Sequence, residues 1–152
     1  MNARRISRRI LIHGMAMVLV GLVEGILVPN TPHPRLALGA HIQLESNGLL
    51  FIVLATLLLT LPHRAGPRSI KMMLVSVWFT WAMLLTEIAN AWWGTTKTLP
   101  IAAGQAGATG GAPWQETVVE LGHVAAAIGL IVAWTLLIVA FARRRTDVES
   151  TK

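Results

Sequence analysis

The chain has no cysteine and no tyrosine, and only seven of its 152 residues are acidic. Without cysteine there is no disulfide framework, no thiolate metal site and no covalent c-type haem attachment, which needs a C-x-x-C-H run. Any haem or metal falls to histidine, carboxylate or amide. Charge of either sign is scarce: 13% of residues are charged, 54% are hydrophobic and the mean hydropathy is +0.60. That composition excludes an ordinary soluble domain of this length. The 13 Lys and Arg do not make a nucleic-acid surface either, because such surfaces gather basic residues into one patch, and here they flank apolar runs. No dinucleotide fingerprint is present, so no nucleotide cofactor is expected.

What is present is four long apolar stretches, each able to cross a bilayer as a helix of roughly 20 residues or more. The first opens with Arg4, Arg5, Arg8 and Arg9 and runs from about 10 to 28. His13 and Glu24 lie inside it, and the nearest small-residue cleavage site comes only after Pro32 and Pro34, so it reads as a retained span. Further spans are expected over about 36–61, 69–93 and 114–141, with a tail over 142–152. Proline marks the first two connections, at Pro29 to Pro34 and in the PHRAGP stretch from Pro62 to Pro67. The third connection, Gly94 to Pro113, is small-residue-rich and reads as a loop. The expected fold is all-α: a single multi-pass membrane domain over 1–152, built as a four-helix bundle in the lipid bilayer.

Eleven of the 13 basic residues, among them Arg64, Arg68, Lys71, Arg143, Arg144, Arg145 and Lys152, fall on one side of this topology; Arg35 and Lys97 fall on the other. The positive-inside rule then puts both termini and the PHRAGP loop in the cytoplasm. At about 1.5 Å per helical residue, Glu24, His41, Glu45, Asn47, Glu87, Asn90, Glu116, Glu120 and His123 all lie in the outer half. Spacing gathers them further: His41 and Glu45 are i and i+4, Glu87 and Asn90 are i and i+3, and Glu116, Glu120 and His123 share one face. Ionisable side chains in hydrocarbon are costly and mark functional sites by default. A lone histidine in a span is more often a helix-to-helix hydrogen-bond partner, Glu116 also suits the positive end of a helix dipole, and the tryptophans suit interfacial packing. His13 lies outside the layer and has no assignment.

The stretch PRLALGAHIQLESNGLLF, followed by AWWGTTKTLPIAAG and then Gln115-Glu116, resembles the bacterial hydroxylaminobenzene mutases, small membrane enzymes that convert an N-aryl hydroxylamine to an ortho-aminophenol in nitroaromatic degradation. His41 with Asn47-Gly48 six residues on is also similar to styrene oxide isomerases, four-span homotrimeric membrane enzymes that use haem b. The resemblance implies that His41 is an axial haem ligand and Asn47 a substrate-orienting group. It further implies a small aromatic substrate, a homo-oligomer and residence in the bacterial inner membrane. Epoxide isomerases place a tyrosine in the third span; this chain has none, which favours the mutase branch.

The demanding step of a mutase would be N–O heterolysis, which needs a general acid or a Lewis-acidic metal at the departing oxygen. A carboxyl drawn out of water holds its proton, so a buried glutamate suits the first role. Glu45, one turn from His41, is the first choice, with Glu87 and Glu116 as rivals; Asn47 or Asn90 would hold the substrate. Two other classes compete: a haem electron-transfer protein with His41 and His123 as paired axial ligands, and a proton-coupled transporter using the carboxylates as a relay. An epoxide isomerase is the alternative within the isomerase class.

Overall fold

A computed structural model describes residues 3–143. Four long helices carry the fold: α1 Ala3–Leu27, α2 Pro34–Thr60, α3 Pro67–Trp93 and α5 Pro113–Ala142, with a short α4 Pro100–Gln105 between the last two. No strand occurs among the described residues, and each long helix is long and apolar enough to cross a membrane. Proline starts α2, α3, α4 and α5. Its missing N–H is no loss in a first turn, and its fixed φ is already helical. Of the expected tail, residues 144–152, including Arg144, Arg145 and Lys152, lie outside the described residues.

Two differences from the sequence reading have local causes. The first helix begins at Ala3, well before the apolar run, because arginine is a good helix former whose stem can lie along the apolar surface. The third connection is not wholly irregular: Pro100 and the alanines after Ile101 wind α4, which ends where Gly107 adopts φ +67° and Ala108 N–H bonds back to the Ala103 carbonyl at 3.0 Å.

Small residues decide which helices lie together. On α1, Gly14, Gly21 and Gly25 face α2; a Cβ on Gly14 would sit 2.8 Å from the Gly48 carbonyl oxygen, and one on Gly21 2.9 Å from Glu45 Cγ. Bare backbone here lets two helices approach closely where hydrocarbon gives no hydrophobic drive for it. α5 lies along α3 in the same manner, with Gly129 against Ser76, whose hydroxyl donates to the Gly129 carbonyl at 2.7 Å. α3 also touches α1 and α2 and so joins the two pairs. Met17, Leu44, Phe51, Leu54, Met73, Val77 and Leu84 are fully buried between them, while Leu19, Ile26, Ile131 and Ile138 point outward as a lipid-facing surface would. This is a membrane protein.

The basic end is closed by backbone bonds. His63 donates from Nε2 to the Leu58 carbonyl at 3.0 Å and accepts the Ala65 N–H at Nδ1, while Arg64 N–H reaches the Ala140 carbonyl at the end of α5. At the opposite end Gly94 terminates α3 at φ +63°, and the His33 ring occupies the space a side chain there would need.

Candidate active site

His41 projects from the second turn of α2 toward α1. Its Nδ1 lies 2.8 Å from the Gly21 carbonyl, and the missing side chain of Gly25 makes room for the ring. A carbonyl only accepts, so Nδ1 carries the proton and Nε2 keeps a lone pair. Glu45, one turn along the same helix face, places Oε2 3.8 Å from that nitrogen. Neither side chain is sealed: His41 is 22% exposed and Glu45 33%. Glu24 approaches from α1 within electrostatic reach of His41, buried, with Oε1 lacking a partner among the described residues. Asn47 is buried near the middle of α2, its amide N–H groups donating to the Gln43 carbonyl at 2.8 Å and side-chain oxygen at 2.9 Å. That leaves its carbonyl oxygen for another donor.

A second histidine–glutamate couple joins α5 to α3. His123 Nε2 lies 2.6 Å from Glu87 Oε1, and its Nδ1 2.8 Å from the Val119 carbonyl. Both ring nitrogens therefore face acceptors, and the ring and the carboxyl are joined by a short hydrogen bond. Both His123 nitrogens are thus engaged here, whereas the paired-ligand reading of His41 with His123 would need one of them free for a metal. Next to this couple Asn90 is fully buried, accepting the Thr95 N–H at 2.8 Å. Glu87 Oε2, Asn90 Nδ2 and Thr95 Oγ1 are buried without partners among the described residues. Orphaned polar atoms of this kind call for water or a ligand.

Glu116 does something else. Its carboxylate accepts the backbone N–H groups of Thr96, Lys97 and Gly111 at 2.9, 3.0 and 3.1 Å, and Glu120 pairs with the Lys97 ammonium. A carboxylate with three backbone donors aimed at it anchors the loop, and those donors favour its charged form over the protonated one a general acid needs. The single layer expected from depth is in fact three groupings: one between α1 and α2, one between α3 and α5, and one in the loop above α5.

Two further features were missed from the sequence. His33, between Pro32 and Pro34, sends its N–H to the Ala91 carbonyl at 3.1 Å, and its Nδ1 is buried without a partner among the described residues. The glycine stripe of α1 was visible as spacings of seven and four, a small-residue helix interface. His13, unassigned by depth, lies against Trp78 and Trp81 of α3.

Comparison with known proteins agrees with the resemblance. A family profile described as styrene oxide isomerase matches residues 6–142. Two relatives from Ectopseudomonas oleovorans are similar over most of their length. Hydroxylaminobenzene mutase HabB is 31% identical over 147 residues, covering 93% of this chain and 87% of the relative. Hydroxylaminobenzene mutase HabA is 33% identical over 108 residues, covering 70% and 76%. No solved structure matches.

Proposed function

We propose that this chain, which belongs to the styrene oxide isomerase family, is a membrane isomerase that rearranges an aryl hydroxylamine to an ortho-aminophenol. One observation carries the reading: a histidine whose Nδ1 is pinned to a carbonyl presents a bare Nε2 beside a carboxyl 3.8 Å away, within a membrane span. The names of both relatives support this substrate class over an epoxide. So does the missing tyrosine.

The reaction needs no net oxidant. The Glu45 carboxyl gives its proton to the hydroxylamine oxygen, the N–O bond breaks with both electrons leaving on oxygen, and water departs. The positive charge left on nitrogen spreads into the ring. Water oxygen then bonds to the ortho carbon and returns one of its protons to the Glu45 carboxylate, and the proton on that carbon moves to the nitrogen as the ring regains aromaticity, so that the product is an isomer of the substrate. Asn47 orients the nitrogen or oxygen through its amide, and the surrounding apolar helices limit the water that meets the cation.

His41 would be the residue to hold a haem: a metal-bound imidazole typically donates its other N–H to a carbonyl or carboxylate, as Nδ1 does to Gly21. Among the described residues no group of three or more His, Asp or Glu is placed to hold a bare metal ion. Haem b held there would supply a Lewis acid for the departing oxygen. In this reading both termini are cytoplasmic, the membrane is the bacterial inner membrane, and the chain assembles as a homo-oligomer, a trimer by analogy with the family.

The test is an absorption spectrum of the detergent-purified protein before and after phenylhydroxylamine, with product identified by chromatography. A Soret band that shifts, together with ortho-aminophenol, supports both the isomerase and haem on His41. Aminophenol without a Soret band keeps the isomerase and removes the haem. No aminophenol under any reconstitution sinks the proposal.

A further inference from the structure

A third polar feature stands apart from both histidine–glutamate couples. Between α1 and α3 runs a cleft of about 470 Å³ lined by His13, Trp78, Trp81, Ala82 and Leu85. It opens on the outer surface of the helices, where Trp78 is 57% exposed. Its depth is fixed by the α1–α2 crossing: His13 adjoins Gly14, which packs on Gly48, the neighbour of Asn47. The cleft therefore sits at the level of Asn47, near the middle of α1 and α2, on the outward face of the helices.

The imidazole there has a defined polarity. Trp81 Nε1 lies 3.3 Å from His13 Nδ1, and an indole N–H can only donate. Nδ1 thus carries the lone pair and the proton is on Nε2, which has no partner among the described residues. A lone N–H donor in hydrocarbon is unfavourable until something accepts from it. Trp78 stands edge-on to the same ring, with centroids 4.9 Å apart at 67°, so the imidazole contacts both indoles. The cleft is larger than the roughly 150 Å³ cavity known to hold benzene. Indole walls favour a ring that can pack edge-on or offset.

We propose that this cleft is a binding site for a neutral aromatic molecule bearing an oxygen acceptor, loaded sideways from the bilayer. His13 Nε2–H donates to that oxygen, while Trp78 and Trp81 hold the ring. Neutrality follows from the route through hydrocarbon. The inference rests on the isomerase reading for one thing only, that the physiological occupant is the substrate waiting at the depth of Asn47.

The experiment uses the full chain in lipid nanodiscs with nitrobenzene as probe, a neutral aromatic with two oxygen acceptors that quenches indole emission. Wild type and Glu45→Gln should both show saturable quenching above that of a partition-only background. His13→Leu should weaken it at least tenfold, and His13→Gln, which restores an N–H donor, should recover affinity to within threefold. With phenylhydroxylamine, His13→Leu should raise KM at least fivefold and leave kcat within twofold. Saturable binding lost in His13→Leu supports the site even if no chain turns over, in which case the isomerase reading alone fails. Normal turnover with unchanged KM in His13→Leu and no saturable quenching overturns the site and leaves the isomerase standing. The chain has no native cysteine, so Trp78→Cys gives a unique thiol; efficient cross-linking of two such chains by a short bismaleimide would put a second copy in the cleft and overturn the proposal.

Discussion

The α1–α2 pair and the α3–α5 pair each carry a histidine and a glutamate, yet they hold them in opposite ways. His41 and Glu45 lie on one helix, 3.8 Å apart, 22% and 33% exposed. His123 and Glu87 come from two helices, meet at 2.6 Å, and the carboxylate is 3% exposed. In the first pair the ring spends one nitrogen on a neighbouring backbone and leaves the other open. In the second both nitrogens are used. An open lone pair beside a reachable carboxyl can do chemistry on a third molecule, whereas a closed buried couple chiefly holds two helices together.

Substitutions can break this contrast. The largest effect is expected from Glu45→Gln, with kcat for aminophenol formation down about 100- to 10,000-fold, the range supplied by a positioned acid, and the helical fold retained by circular dichroism. If Glu87→Gln produced that loss and Glu45→Gln did not, the roles of the two couples would be exchanged. Next comes the closed pair: Glu87→Leu leaves His123 without its partner and should cost about 3–5 kcal/mol, as breaking one side of a buried pair does. The double change Glu87→Leu with His123→Leu should recover much of that, read as thermal midpoints in one detergent.

The comparison sharpens at Gly25. A methyl there falls 2.9 Å from His41 Cε1 and 3.0 Å from Nδ1. Gly25→Ala should therefore tilt the ring off the Gly21 carbonyl and lower turnover, with any Soret band weakened in step, while the α3–α5 couple and its thermal contribution stay as they are. The smallest effect is expected at Glu116→Gln, which weakens three loop hydrogen bonds. Glutamine keeps one side-chain oxygen as an acceptor, so the loss is on the scale of a single charged hydrogen bond, about 1.5–3 kcal/mol, appearing as faster proteolysis between residues 94 and 112, with turnover preserved within a few-fold.

Much of this was legible in the chain before folding. Apolar run lengths gave four spans because hydrocarbon requires every backbone group to be satisfied within its own helix. Pro34, Pro67 and Pro113 fixed where the later long helices begin, and Asn47 and Glu87 were recognisable as costly buried groups. The i,i+4 relation of His41 and Glu45 was also readable, since both belong to one helix. The role of Glu116 was not, because its three donors come from residues up to 20 positions away in a loop whose path depends on Gly94 and Gly107.

By itself, then, the sequence determined four helices long and apolar enough to cross a membrane and how far along its own helix each polar group lies, for hydrophobicity and rise per residue act along a single helix. Which polar groups meet was decided only by tertiary structure. Depth carries no information about azimuth, and it was the close approach of bare glycine backbone, Gly14 and Gly25 on one side and Gly129 on the other, that set α1 against α2 and α5 against α3. That pairing left His41 open and closed His123.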